Sequence, residues 1–262
     1  MISDKINQCI IFGAHYLKGK VVEHLSKLQK DCEGKYDVWL VYDNSKQDYD
    51  PSLVAKDTRT FLFNVESISK KYFMKSCTKR GSLYDGNTTF PILEFYRKHP
   101  DYKYYWRIEY DMCFNGNWLA LFDYFTDNNV DLLTTTLFRH VFRPDWMWWN
   151  SLKTPFYIRN FDKIRGFLPI ARMSKRACKL LYKKFGQQWN GHDEVVLPTI
   201  LNHYGLSLED MGGEGEFVRP ENKARFYVNT PENVGLAPGT LVCPPSMPKL
   251  PMLPGKLYHA IK

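Results

Sequence analysis

Short apolar runs that stop at polar residues, separated by stretches of helical spacing, set the strongest limit on how this chain folds. Gln8 to Phe12 (QCIIF) is one such run, and it ends at Gly13, so it reads as a buried strand followed by a turn. A helix follows from about Gly19, with Val22, Leu25 and Leu28 on one stripe. Asp37 to Tyr42 (DVWLVY) is a second buried strand, stopped by Asp43-Asn44-Ser45, and Phe61 to Val65 makes a third. Phe90 to Arg97 reads as a helix entered through Pro91. Tyr104 to Tyr110 has strand composition and is broken by Asn115-Gly116-Asn117. Trp118, Leu121, Phe122 and Phe125 mark a helix face, and Val130 to Thr135 a further strand. Ser174 caps an amphipathic helix carrying Cys178, Leu181, Tyr182 and Phe185. Alternation of this kind predicts an α/β fold with a mostly parallel central sheet flanked by helices.

Ligands of such sheets gather at the carboxyl ends of the strands. The polar residues there are His15, Asp43, Glu109 and Asp111. From Thr230 onward seven prolines fall in the last 33 residues, which predicts an extended, irregular, Pro-rich tail. The 262 residues suit one α/β-sized domain, and 16% aromatic content argues against disorder.

The formal net charge of +8 is unevenly placed. Residues 137–189 hold twelve basic and two acidic side chains, a local +10, so the remainder of the chain is −2. Trp146, Trp148, Trp149 and Trp189 lie in the same stretch, either to stack on sugar rings or to fill the core. A basic, aromatic face fits an anionic partner, and a solvated lysine face is the alternative. No apolar run reaches the ~18 to 20 residues of a membrane span. The opening MISDKINQCIIFGAHY has too short an apolar core for a signal peptide, and the six cysteines form no C-x-x-C pair. Both fit reduced thiols and a cytoplasmic location.

Three clusters bear on chemistry. A strand places residues i and i+2 on one side, so Glu109 and Asp111 of Glu109-Tyr110-Asp111 present two carboxylates together at a strand end. Mg²⁺ or Mn²⁺ would offset their repulsion and share coordination with substrate phosphates; a solvated strand end is the plain alternative. Gly191-His192-Asp193-Glu194 opens a helix running to Tyr204, with Asp193 placed as N-cap and Glu194 in the first turn. A carboxylate there can also take a proton from an acceptor hydroxyl. His259, four residues from the end of the sequence, is either silent or a metal ligand. The P-loop, G-x-G-x-x-G, H-E-x-x-H and G-x-S-x-G signatures are absent.

Taken together, the segments CIIFGAHY, VYDNS, YYWRIEYDMCFNGNW, RGFLPIARMSKRACKLL, GHDEVVLPTILNHYGL and KLYHAIK resemble, in that order, a GT-A-type glycosyltransferase of bacterial polysaccharide and glycan synthesis. The resemblance implies one GT-A (Rossmann-like) domain. Its nucleotide-sugar-binding half would be 1–135, its acceptor half 136–229, and its tail, 230–262, would return to the metal site. It implies a nucleotide-sugar donor, UDP-linked by preference, and Mn²⁺ or Mg²⁺ held by Asp111, Glu109 and His259. Glu109 is alternatively a ribose or sugar contact. His15 and Asp43 would line the nucleotide pocket, and Arg107 would pair with phosphate. Asp193 or Glu194 would be the base, with Asp193 preferred. The acceptor would be a glycan, a lipid-linked species or another hydroxyl, with peripheral contact to an anionic inner-membrane face through residues 137–189 and no nucleic acid. E-Y-D departs from the family's D-x-D, and GHDE from its E-D pair. A metal-dependent nucleotidyltransferase or nuclease, and a non-catalytic binder of glycans or anionic surfaces, are the competing expectations.

Overall fold

A computed structural model of the chain describes residues 7–72, 86–185, 187–228, 239–241 and 252–261. The strands are β1 (Gln8–Ala14), β2 (Asp37–Asp43), β3 (Arg59–Phe63), β4 (Tyr104–Glu109), β5 (Cys113–Phe114), β6 (Leu132–Arg139), β7 (Ile164–Ser174), β8 (Leu208–Asp210) and β9 (Leu257–Tyr258). The helices are α1 (Lys20–Cys32), α2 (Val65–Tyr72), α3 (Thr89–Lys98), α4 (Trp118–Tyr124), α5 (Lys175–Phe185) and α6 (Asp193–His203). Seven strands form one sheet in the order β3-β2-β1-β4-β7-β6-β8. Only β7 runs against its neighbours in that sheet, pairing antiparallel with β4 and β6. The fold is therefore α/β with a mainly parallel sheet, as the alternation predicted.

Helices cover both faces because buried parallel strands are apolar on both sides. In β1, Cys9 and Ile11 point into one core with Leu93 and Phe95 of α3, Cys178 and Leu181 of α5, and Val196 and Ile200 of α6. Ile10 and Phe12 point into the other, with Leu25 and Leu28 of α1 and Leu121 and Phe122 of α4.

Several local expectations shift. The buried stripe of α1 is Val21, Leu25, Leu28 and Cys32, and Val22 lies beside it. The third strand stops at Phe63. Val65 starts α2 instead, because the Asn64 side chain accepts from the Ser67 N–H at 3.2 Å. Ser174 does cap α5, its hydroxyl accepting from the Ala177 N–H at 3.0 Å. Asp193 is not an N-cap: that position is His192, whose Nδ1 accepts from the Glu194 N–H at 3.3 Å, and Asp193 is the first residue of the helix. Of the seven tail prolines only Pro254 lies within the described residues, where β9 pairs with β5. Cys77 and Cys243 also lie outside them, and the four described cysteines are free thiols.

The tryptophans of the basic stretch are mostly core: Trp146, Trp149 and Trp189 are buried, and Trp148 is half-buried. Part of the positive charge is internal too. Arg172 is fully buried, donating at 2.7 Å to the carbonyls of Phe125 and Asn128 and lying 4.2 Å from the Tyr104 ring centre. No helix among the described residues is long and apolar enough to cross a membrane.

Candidate functional site

A cleft of about 690 Å³ opens at the carboxyl ends of β1, β2 and β4. All eight candidate side chains line it: His15, Asp43, Arg107, Glu109, Asp111, Asp193, Glu194 and His259. Three directions converge there. The parallel strands deliver His15, Asp43 and Glu109 at their ends, the reversed β7 adds Phe167 and Pro169, and α6 aims its first turn inward.

The candidate cation-binding cluster is built by a turn and a returning chain end. Strand β4 stops at Glu109, where the Met112 N–H donates to the Glu109 carbonyl at 2.9 Å, so Asp111 sits in the turn. Pairing of β9 with β5 brings the last residues alongside, and the Ile261 N–H donates to the Asp111 carbonyl at 2.9 Å. His259 Nε2 then lies 3.4 Å from Asp111 Oδ1 and 3.9 Å from Glu109 Oε2. One ligand atom from each of the three residues falls within 4.8 Å of the others. Ligands about 2.1 Å from a common cation stand about 3 Å apart on an octahedron's edge, so the cluster fits a divalent ion after small side-chain adjustment. Two carboxylates with one imidazole suit Mn²⁺ better than a purely oxygen-loving ion. The remaining ring nitrogen, His259 Nδ1, is buried with no hydrogen-bond partner among the described residues.

Arg107 lines the cleft, and its guanidinium is already engaged by neighbouring side chains. Its guanidinium, 5% exposed, lies between Glu109 Oε1 at 2.5 Å and Asp193 Oδ2 at 3.5 Å, and also donates to the hydroxyls of Thr88 and Thr89. Burial works against its charge, and the two carboxylates outweigh that and raise its pKa. Asp193 is as constrained. Its Oδ2 accepts from the Thr89 N–H at 3.1 Å, the Thr89 hydroxyl at 2.8 Å and the Thr88 hydroxyl at 3.2 Å. Burial alone would raise its pKa, but Arg107, His192 and the two threonines hold it below the ordinary value.

Glu194 differs. Burial, then the neighbouring Asp193 and Glu109 charges, push its carboxyl up to about 8, against the opposing pull of Arg165 and a hydrogen bond from the Leu168 backbone. Of the two adjacent carboxyls, Glu194 is thus the one held up towards neutral pH and Asp193, preferred from the sequence, the one held ionised.

Residues that pattern reading missed hold this wall in place. The Asp193 N–H donates to the Gly86 carbonyl at 2.7 Å, and a Cβ on Gly86 would lie 2.3 Å from the His192 ring. Trp148 stacks on that ring with centroids 4.5 Å apart. Gly191 has φ 130°, where a Cβ would meet the Ser151 carbonyl oxygen at 2.4 Å. Thr88, Thr89 and His192 carry no sequence signal of their own, since each acquires its role from residues about twenty to one hundred positions away.

On the opposite side, Asp43 Oδ1 accepts from the Ser45 N–H at 3.0 Å, and the Ser45 hydroxyl accepts from the Val65 N–H at 2.9 Å, which fixes the carboxylate at the mouth of β2. The His15 ring meets Tyr16 and Tyr110 edge-on at 5.0 and 4.9 Å. Lys46 also lines this part of the cleft.

The profile of a family described as "Protein of unknown function (DUF3405)" matches residues 43–130. No curated protein matches the chain. Among solved structures, mouse xyloside xylosyltransferase 1 is similar at 12% identity over 76% of this chain and 81% of that one, with a TM-score of 0.43. The 4-diphosphocytidyl-2C-methyl-D-erythritol synthase of Anaerococcus prevotii is similar at 11% identity over 79% and 87%, with a TM-score of 0.48. A putative glucose-1-phosphate thymidylyltransferase of Bacillus anthracis is similar at 11% identity over 79% and 88%, with a TM-score of 0.42. At these values no residue role is transferred from them.

Proposed function

We propose that the protein is a metal-dependent, GT-A-like glycosyltransferase that moves a sugar from a nucleotide sugar, UDP-linked by preference, to a hydroxyl of a glycan or lipid-linked acceptor. One observation carries the reading: a single cleft holds both the Glu109–Asp111–His259 cluster and, apart from it, a carboxyl whose pKa is raised to about 8.

Asp111, Glu109 and His259 would hold Mn²⁺ or Mg²⁺, which when bound neutralises charge building on a departing diphosphate. His15 and Asp43 line the nucleotide side of the pocket. Glu194 accepts the proton of the acceptor hydroxyl as its oxygen bonds to the anomeric carbon and the sugar–diphosphate bond breaks. A carboxyl of pKa about 8 matches that task, because its deprotonated form binds a proton far more strongly than an ordinary carboxylate and is still populated near neutrality. Arg107 and Asp193 fix the distance between the two working groups. On this reading residues 1–135 would supply the donor side and 136–229 the acceptor side, and the end of the chain that carries His259 would complete the cation site.

Nucleotidyl transfer uses an already anionic phosphate as nucleophile and has no need of a base, so Glu194 separates the two reactions. The test is a panel of nucleotide sugars with and without Mn²⁺, read first by thermal shift and then by nucleoside diphosphate release in the presence of glycan acceptors. Stabilisation by one donor only with Mn²⁺, followed by acceptor-dependent release, is the expected result. Pyrophosphate release from a nucleoside triphosphate and a sugar 1-phosphate, without sugar transfer, would replace this reading by the nucleotidyl one.

A further inference from the structure

Among the described residues, six of the nine large apolar side chains that stand exposed fall between Val141 and Phe161. Three of them share one knuckle. Single 3₁₀ turns at His140–Phe142 and Asn160–Asp162 pack together just after β6 and just before β7, and the His140 N–H donates to the Lys163 carbonyl at 3.0 Å. Val141, Phe142 and Phe161 protrude from these turns at 43%, 57% and 51% exposure. Four cations ring them. Arg139 pairs with Glu216 and lies over the Phe161 ring, and Arg159 pairs with Asp162. Arg143 and Lys163 enter no ion pair among the described residues.

We propose that this knuckle docks on an anionic lipid bilayer, with Val141, Phe142 and Phe161 entering the headgroup boundary while Arg143 and Lys163 meet the anionic headgroups. The charge selects the occupant: apolar tips flanked by cations with no carboxylate partner among the described residues match a negative surface that also offers hydrocarbon. The shape agrees, because convex tips on short turns need no complementary groove in a fluid interface. Strand β6 runs parallel to β4, so its end, and the knuckle with it, lies at the cleft end of the sheet. Lys175 and Lys179 do not belong to this surface. They come after the end of β7, the reversed strand, and so start from the opposite end of the sheet.

The inference needs no assumption about the reaction, since its assay contains neither donor nor acceptor. The full chain is sedimented with phosphatidylcholine vesicles containing or lacking about 30% phosphatidylserine. Binding is expected only with phosphatidylserine and should fall as salt is raised. Phe142→Ser with Phe161→Ser should weaken it at least about tenfold, since two exposed rings lose their burial in the interface. Arg143→Glu with Lys163→Glu should weaken it about tenfold or more. Lys175→Glu, Lys179→Glu and Lys183→Glu together should leave most of it intact. All these side chains are exposed except Lys163, which is half-buried, and an unchanged melting temperature verifies that each variant is folded. No binding to phosphatidylserine vesicles, equal binding without the anionic lipid, or loss caused by the α5 triple variant instead of the knuckle pairs would each overturn the proposal. So would a dimer of the native chain that the Phe142/Phe161 pair dissolves, which would make a second copy the occupant.

Discussion

Nη1 of Arg107 and Oδ2 of Asp193 lie 3.5 Å apart with both side chains buried, and this contact ties the strand bearing Glu109 to the helix bearing Glu194. The same guanidinium holds Glu109 at 2.5 Å. Two carboxylates of one cleft thus share one guanidinium, which fixes the end of β4 relative to the start of α6.

Removing Arg107 leaves the buried Asp193 charge without its guanidinium, whereas removing Asp193 leaves Arg107 still paired with Glu109. Arg107→Met is therefore expected to cost about 3–5 kcal/mol in urea unfolding, and Asp193→Asn somewhat less, because the amide still bonds Thr88 or Thr89. The pH dependence has a definite sign. Asp193 is held below its ordinary pKa in the fold, so its contribution is present above the unfolded value near 3.9 and fades as pH falls through the lower folded value. Asp193→Asn should flatten that acid limb.

Glu194→Gln should reduce transfer by about 10²- to 10⁴-fold while donor binding stays unchanged. A base must be deprotonated, so the native rate should rise with pH, with a midpoint at or below about 8. A cation beside Glu109 moves it downward. The stability effect runs the other way. Glu194 has a raised folded pKa, so its contribution is greatest below the unfolded value and is lost as pH climbs towards 8. At pH 8 and above the glutamine variant should be about 0.5–2 kcal/mol more stable than the native chain, measured by thermal or urea unfolding.

Asp111→Asn and His259→Ala should each abolish the rise in melting temperature that Mn²⁺ produces in the native chain. Chelation should reverse that rise in the native protein and leave both variants unmoved. A Mn²⁺ response retained in both variants would remove these residues from the cation site.

Gly191→Ala tests the scaffold behind the base. The φ of 130° and the Ser151 carbonyl 2.4 Å from the added Cβ leave no room, so the start of α6 must shift. A loss of about 1–3 kcal/mol is expected, with a further loss of turnover because Glu194 moves with the helix.

The strand ends were legible in sequence because burial writes itself into composition. QCIIF and DVWLVY are apolar on both faces, and the polar residues just past them, His15 and Asp43, sit at the cleft. The Glu109–Asp111 pair was legible by spacing, although a turn, and not strand alternation, brings the two together. Strand β7 was not, since RGFLPIARMS contains Gly166, Pro169 and two arginines, a poor strand signature rescued by pairing on both edges.

The sequence by itself determined the alternation of strands and helices, the mainly parallel sheet and the end of it at which polar residues collect, because each of these arises from local periodicity and burial. Only the tertiary structure set the two adjacent carboxyls of α6 apart. Asp193 and Glu194 are adjacent and chemically alike, yet one faces Arg107 and two threonines while the other faces the negative charges of Asp193 and Glu109. Likewise the +10 of residues 137–189 reads as one basic face in sequence, but folding buries Arg165 and Arg172, pairs Arg139, Arg159 and Arg176, and leaves Arg143 and Lys163 beside exposed rings. Burial and pairing are properties of three-dimensional neighbours, which a linear count of charges does not contain.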